Sequence, residues 1–264
     1  MHLSDLHFGR TRPDLLDPLV RAVNAAAPDL VAVSGDLTQR ARSAQFRAAR
    51  AFLDRLDAPW LAVPGNHDVP LHNLAARLLD PWTRYRAWIA FDLQPRFSDA
   101  EVSVVGLNTV NPFEWQRGRI GRRAVRFACA ALRHEPEGRT RIVVAHHPFE
   151  HAPGETKALM RGAARGVKAL ADCGADIVLT GHLHAWRAEP FAAAPAGIGA
   201  LQVQAGTGLS TRLRGEDNDF NLLTLEAGEV VVERFVAVRG AADFAPAASR
   251  RFRAGPRGWQ RVGD

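Results

Sequence analysis

The chain has 264 residues and a mass of 28.8 kDa, the size of one large α/β domain or two small ones. With 47% apolar and 23% charged residues it is not disordered, and it has no run of about 18 apolar residues that would span a membrane. The formal charge of +6 is unevenly placed: Arg239, Arg250, Arg251, Arg253, Arg257 and Arg261 face only Asp243 and Asp264 at the C-terminal end, so the rest of the chain is near neutral. A nucleic-acid partner argued from charge would rest on that tail, whose only aromatic residues are Phe244, Phe252 and Trp259, and is therefore not expected.

In chain order, short apolar runs end in polar turns and give way to helical patterns, the alternation of an α/β fold. Strands are predicted at Met1–Ser4, Leu30–Ser34, Trp60–Val63, Val102–Leu107, Arg141–Ala145 and Asp176–Thr180. Between them, Ser43–Leu56 and Lys157–Ala171 carry apolar residues at helical spacing. Leu201–Ala205, Phe220–Glu226 and Val230–Ala237 read as further strands, the last two joined by a hairpin at Ala227-Gly228. A first strand that begins at the initiator Met is short for a central strand, which is compatible with a start internal to a longer gene product. One domain over residues 1–239 is expected, followed by a loosely ordered tail rich in Ala, Arg, Pro and Gly over 240–264. Cys129 and Cys173 sit beside alanines in helical stretches and are expected as buried small residues rather than metal ligands or a disulfide, which suits a reducing compartment. No basic region followed by an apolar segment marks a signal peptide, so a cytoplasmic location is expected.

The chemistry collects where the strands end. Asp5-Leu6-His7 follows the first, Gly35-Asp36 the second, Gly65-Asn66-His67-Asp68 the third, His146-His147 the fifth and Gly181-His182-Leu183-His184 the sixth. In an open α/β sheet these carboxyl ends converge on one crevice, so residues about 180 apart in sequence can share a site. The donors are carboxylate, imidazole and amide oxygen without thiolate, a set suited to Mn, Fe, Zn or Mg ions. Asp5, His7, Asp36, Asn66, His146, His182 and His184 are too many for one ion and would fill two sites about 3.5–4 Å apart if Asp36 bridged them. Gly35, Gly65 and Gly181 are expected to permit sharp turns that aim the following residue into the cleft. Two divalent ions against two carboxylates leave a net positive pocket, which wants an anionic substrate such as a phosphate ester.

With these motifs in this order the chain resembles the calcineurin-like metallophosphoesterases. The resemblance implies a four-layer α/β/β/α sandwich, here with a C-terminal β-hairpin, and a dinuclear centre on one edge. It implies that Asp5, His7, Asp36 and His184 hold the first metal and Asp36, Asn66, His146 and His182 the second. His146 is favoured over His147 because it is nearer the strand end, with His147 packing beside it. His67 is implied as a catalytic residue near the leaving-group oxygen, where an imidazolium would neutralise charge or donate a proton, with Asp68 orienting it. Its being His rather than Arg resembles diesterase and nuclease branches. Ser4-Asp5-Leu6-His7-Phe8-Gly9, Gly35-Asp36-Leu37-Thr38 and His146-His147-Pro148 are similar to the bacterial class III cyclic-nucleotide phosphodiesterase-like group. The implied reaction is hydrolysis of a small phosphodiester, with a metal-bridging hydroxide attacking phosphorus in line. A phosphomonoesterase or broader diesterase acting on nucleotides or glycerophosphodiesters is the alternative, and a metal-free scaffold of the same fold is disfavoured because every ligand position is filled. Arg212 and Arg214, on a loop after a predicted strand, are candidate phosphate contacts. The stretch Glu150–Thr156, with His151 and Gly154, is a candidate lid, and His2, His72 and His134 read as structural or surface residues.

Overall fold

The computed structural model describes all residues except 72, 137, 192–198, 227, 239, 241–242, 257 and 264. Among them are thirteen strands and six α-helices. The strands are β1 (His2–Leu3), β2 (Val31–Val33), β3 (Trp60–Ala62), β4 (Arg96–Ser98), β5 (Val102–Leu107), β6 (Thr140–Ala145), β7 (Ile177–Thr180), β8 (Arg187–Pro190), β9 (Leu201–Gln204), β10 (Asp219–Glu226), β11 (Glu229–Ala237), β12 (Phe244–Gly255) and β13 (Gly258–Arg261). The helices are α1 (Leu16–Ala25), α2 (Ser43–Leu53), α3 (Leu74–Leu79), α4 (Thr83–Trp88), α5 (Arg122–Arg133) and α6 (Ala163–Asp172). One sheet has the order β13-β12-β11-β10-β1-β2-β3 and the other β4-β5-β6-β7-β9-β8. Their parallel centres are β1-β2-β3 and β5-β6-β7-β9, and the tips of β1, β2, β3, β6 and β7 carry the motifs.

Strand periodicity explains the layering. Side chains alternate between the two faces of a strand, and Val31 and Val33 of β2 join a core with Leu19 and Phe46 of the flanking helices while Ala32 between them joins a second core. On the other sheet Val143 and Ala145 face Leu132 and Leu170 of α5 and α6, whereas Ile142 and Val144 face Val230 and Phe252 across the gap between sheets. Three apolar interfaces thus separate four layers, helix, sheet, sheet and helix.

The C-terminal end departs from expectation. It is not a loose tail: β12 pairs with all of β11, β13 closes on β12, and Phe252 and Trp259 are buried between the sheets. The β10–β11 hairpin closes at Glu226 opposite Glu229, with Ala227 outside the described residues. Helix α6 begins six residues later than its periodicity predicts. Residues 157–162 are not helical: Arg161 forms an isolated bridge with Arg119, its N–H donating to Gly118 O and its carbonyl accepting from Ile120 N–H, and Gly162 at φ 83° turns the chain into the helix.

The cysteines are also not as expected. Cys129 on α5 and Cys173 at the end of α6 form a disulfide with Cα atoms 5.3 Å apart. They lie 44 residues apart without a motif, and only the packing of α5 on α6 brings them together. The pair therefore gives no support to a reducing compartment. Among the described residues no helix is long and apolar enough to cross a membrane.

Candidate metal centre

Five strand tips deliver the motif residues to one edge of the sandwich. Of the seven non-glycine residues with positive φ among the described residues, five are expected ligands: Asp5 (51°), His7 (51°), Asp36 (53°), His182 (73°) and His184 (58°). Left-handed backbone costs roughly 1–2 kcal/mol per residue, and such strain gathers where a fold holds functional side chains in place. The glycines divide the work differently from expectation. Gly35 does turn, at φ 92°, but Gly65 and Gly181 are there for close approach: a Cβ on Gly65 would overlap the Asp36 carboxylate, and one on Gly181 the Ser4 hydroxyl and Asp5 carboxylate.

The donor atoms fall into two groups. Asp5 Oδ1 lies 3.1 Å from His184 Nε2 and 3.4 Å from His7 Nε2, and the two Nε2 atoms are 3.2 Å apart. In the second group His146 Nε2 is 3.1 Å from Asn66 Oδ1, 3.3 Å from His182 Nδ1 and 3.4 Å from Asp36 Oδ2. Asp36 Oδ2 also lies 3.7 Å from His7 Nε2, between the groups. Bonds of about 2.1 Å from a cation to its donors put neighbouring donors about 3.0–3.4 Å apart, the spacing seen here. Asp5 Oδ1, buried, has no hydrogen-bond partner among the described residues. The residues present therefore fit a metal centre.

Partners behind the cluster hold the donors in position. His146 Nδ1 donates to Ser34 O at 2.8 Å and His184 Nδ1 to Arg212 O at 2.8 Å, which leaves each Nε2 lone pair aimed at the cluster. Asp5 Oδ2 accepts from Ser4 Oγ at 2.6 Å and His182 N–H at 2.9 Å, and Asp36 Oδ1 from His67 N–H at 2.8 Å. His147 is differently placed. Its Nδ1 meets Thr109 Oγ1 at 2.8 Å and its Nε2 the Gln116 carbonyl at 3.0 Å, so both ring nitrogens are occupied away from the centre.

Burial opposes charge on Asp36 and Asp5, yet the imidazoles around them hold both carboxyls well below the usual range. Burial likewise opposes charge on His146, but Asp36 and Asp5 push it up to about 9, whereas burial takes His147 down to about 3. The buried carboxylates demand cations, as protons or as metal.

Asp68 does not orient the His67 ring. Its carboxylate accepts from the N–H groups of Leu37, Thr38 and Gly65 and from Thr38 Oγ1, tying the Asp36 turn to the Asn66 turn. Burial and the Asp36 charge push it up to about 7. The His67 ring is instead oriented by Gln39, whose carbonyl lies 2.9 Å from Nδ1, and its Nε2 accepts from Arg212 Nη1 at 2.9 Å. Burial lowers this imidazole to about 4, and the Arg212 guanidinium beside it brings positive charge to the same place.

Both loop arginines reach the site: Arg212 and Arg214 line its cavity with Gln116 and Lys157. Gln116 and Lys157 escaped the sequence reading because neither lies in a motif. No side chain of the expected lid 150–156 lines this cavity; Lys157, the next residue, does. His2 is buried between Ser34 and Asn221, His134 is exposed on the end of α5, and His72 lies outside the described residues.

Compared with known families, residues 1–186 match the calcineurin-like phosphoesterases. A 78-residue stretch is 37% identical to the glycerophosphodiester phosphodiesterase GpdQ of Enterobacter lignolyticus (strain SCF1), covering 25% of this chain and 28% of that protein. Among solved structures, purple acid phosphatase PPD1 from yellow lupin (Lupinus luteus) seeds superposes with a TM-score of 0.69 at 14% identity, over 95% of this chain and 52% of that one. GAP50, the anchor in the inner membrane complex of Plasmodium, gives 0.57 at 14% identity over 94% and 88%. At these identities the two structural likenesses are of fold alone.

Proposed function

Because the chain belongs to the calcineurin-like phosphoesterase family, its motif region 1–186 matching over most of its length, we propose that it is a phosphoric diester hydrolase working with two divalent metal ions. The observation that carries this reading is the position of Asp36 between two donor groups, with Asp5, His7 and His184 on one side and Asn66, His146 and His182 on the other. Imidazole, carboxylate and amide donors suit Mn, Fe or Zn. When bound, such ions supply Lewis acidity toward the phosphoryl oxygens and activate the attacking water.

The chain's own side chains do the rest. Arg212, held by His67, presents a guanidinium where charge develops on the departing oxygen, and Lys157 and Arg214 add positive charge at the mouth. His67 keeps its proton on Nδ1 toward Gln39 and acts as a positioning residue for Arg212. Cyclic nucleotides are the first substrates to test. The stretch shared with a glycerophosphodiester phosphodiesterase favours glycerophosphodiesters as the second class.

A metal-reconstituted panel tests the reading: bis(p-nitrophenyl) phosphate, p-nitrophenyl phosphate, 3′,5′- and 2′,3′-cyclic nucleotides and a glycerophosphodiester. Diesters are expected to turn over only with added metal. Loss of groups that merely support a ligand costs about 10- to 100-fold, so Asn66→Ala, which removes a ligand, is expected to cost at least about 100-fold. Absence of metal-dependent hydrolysis of every substrate by the wild type would sink the proposal.

A further inference from the structure

A concentration of uncompensated charge lies away from the strand tips, in a cleft of about 1100 Å³ where α5 and α6 begin. Arg117, Arg119, Arg122, Arg126, Arg161 and Arg165 line it, all exposed. The one acid among its described lining residues, Glu114, is paired with Arg161 at 2.5 Å. The side chains of Arg119, Arg122, Arg126 and Arg165 have no acidic partner among the described residues. Guanidiniums left without internal partners are suited to phosphates, which they grip bidentately.

The cleft is joined to the metal centre. Gln116, Lys157 and His182 line both the centre's cavity and a neighbouring cavity of about 370 Å³, which in turn shares Glu114 and Arg117 with the arginine cleft. Along this path stands Trp115, 57% exposed, which also lines a cavity of about 270 Å³ on the other side of the centre beside His67 and Arg40. Phe113, 79% exposed, is two residues away. A basic track with exposed aromatic side chains is the combination that binds single strands, arginines following the phosphates while bases stack on rings.

Building on the diesterase reading, we infer that the substrate class includes single-stranded nucleic acid, bound with its scissile phosphate at the metal centre, a base against Trp115 and the adjoining phosphates running over Lys157 and Arg117 into the arginine cleft. A cyclic nucleotide would occupy the centre and leave the cleft unused. The C-terminal arginines play no part in this track.

The test is fluorescence anisotropy of a labelled dT12 oligonucleotide with the full chain in EDTA, where nothing is cleaved, across 50–200 mM NaCl. Each phosphate neutralised on a single strand contributes about −0.7 to the slope of log K against log salt. A slope of about −3 is expected for the wild type, moderated by about 1.4 in Arg122→Ala/Arg165→Ala with at least a tenfold weaker Kd at 100 mM. Trp115→Ala is expected to weaken binding about fivefold or more. No binding by the wild type, binding indifferent to the arginine pair, or inorganic polyphosphate competing as well as the oligonucleotide while Trp115→Ala changes nothing, would each overturn the inference. Hydrolysis of bis(p-nitrophenyl) phosphate by the metal-loaded wild type is read in parallel: its failure sinks the diesterase reading, whereas anisotropy alone decides the track.

Discussion

The arginines of the C-terminal strands and those of the α5–α6 cleft have opposite electrostatic standing. Arg250 reaches across to Glu189 of β8, Arg251 and Arg253 both engage Glu229 of β11, and Arg250 and Arg234 lie over the Trp186 ring at 4.6 and 5.5 Å from its centre. The aromatic residues of that region, Phe244, Phe252 and Trp259, are buried in the cores. At the cleft the relation is reversed: of its six arginines only Arg161 has an acidic partner among the described residues, and the aromatics near it in sequence, Trp115 and Phe113, are exposed. A count of basic residues along the sequence therefore does not show which of them lack an acidic partner. What matters is which charges the fold has already neutralised.

Several substitutions would break or sharpen this contrast. The largest effect is expected at Phe252: if the C-terminal strands are structural, Phe252→Ala costs about 3–5 kcal/mol in urea unfolding, and a loss under about 1 kcal/mol would return this end to the status of a tail. Next comes the disulfide that fastens α5 to α6 beside the cleft. Cys129→Ser, opening a loop of 44 residues, is expected to cost about 2–4 kcal/mol, with wild-type stability falling toward the variant's under reductant. Smaller again, Arg253→Ala removes an exposed ion pair with Glu229 and should cost no more than about 1 kcal/mol, less at high salt. Arg122→Ala, at the opposite pole of the comparison, should change stability by no more than about 0.5 kcal/mol. A marked loss there would show that the cleft arginines serve the fold.

Much of the centre was legible because its signals are local. Asp5-x-His7 and His182-x-His184 sit at strand ends whose apolar runs are plain, and β5 spans the predicted residues Val102–Leu107 without shift. What escaped was non-local. The orienting partner of His67 proved to be the Gln39 carbonyl rather than its neighbour Asp68, because Asp68 is turned inward by four donors from the Gly65 and Leu37–Thr38 backbone and the Thr38 hydroxyl. The glycine of Gly181-His182 is required by Ser4 and Asp5, more than 170 residues earlier in the chain, and no local pattern could reveal that. Lys157 was hidden inside a helical periodicity that the chain follows only from Ala163, the non-helical stretch before it being tied at Arg161 by backbone bonds to Gly118 and Ile120.

From residue order alone came the alternation of strands and helices, the five strand-tip motifs and the chemistry of their donors, because these depend on side-chain type and short-range period. Tertiary structure decided which donors share a neighbour, which cysteines meet, whether the last 20 or so residues pack, and which arginines keep their charge for an outside partner. Each of those outcomes is a pairing between distant segments, settled by how two sheets and their helices bury apolar surface together, and no single segment carries that information.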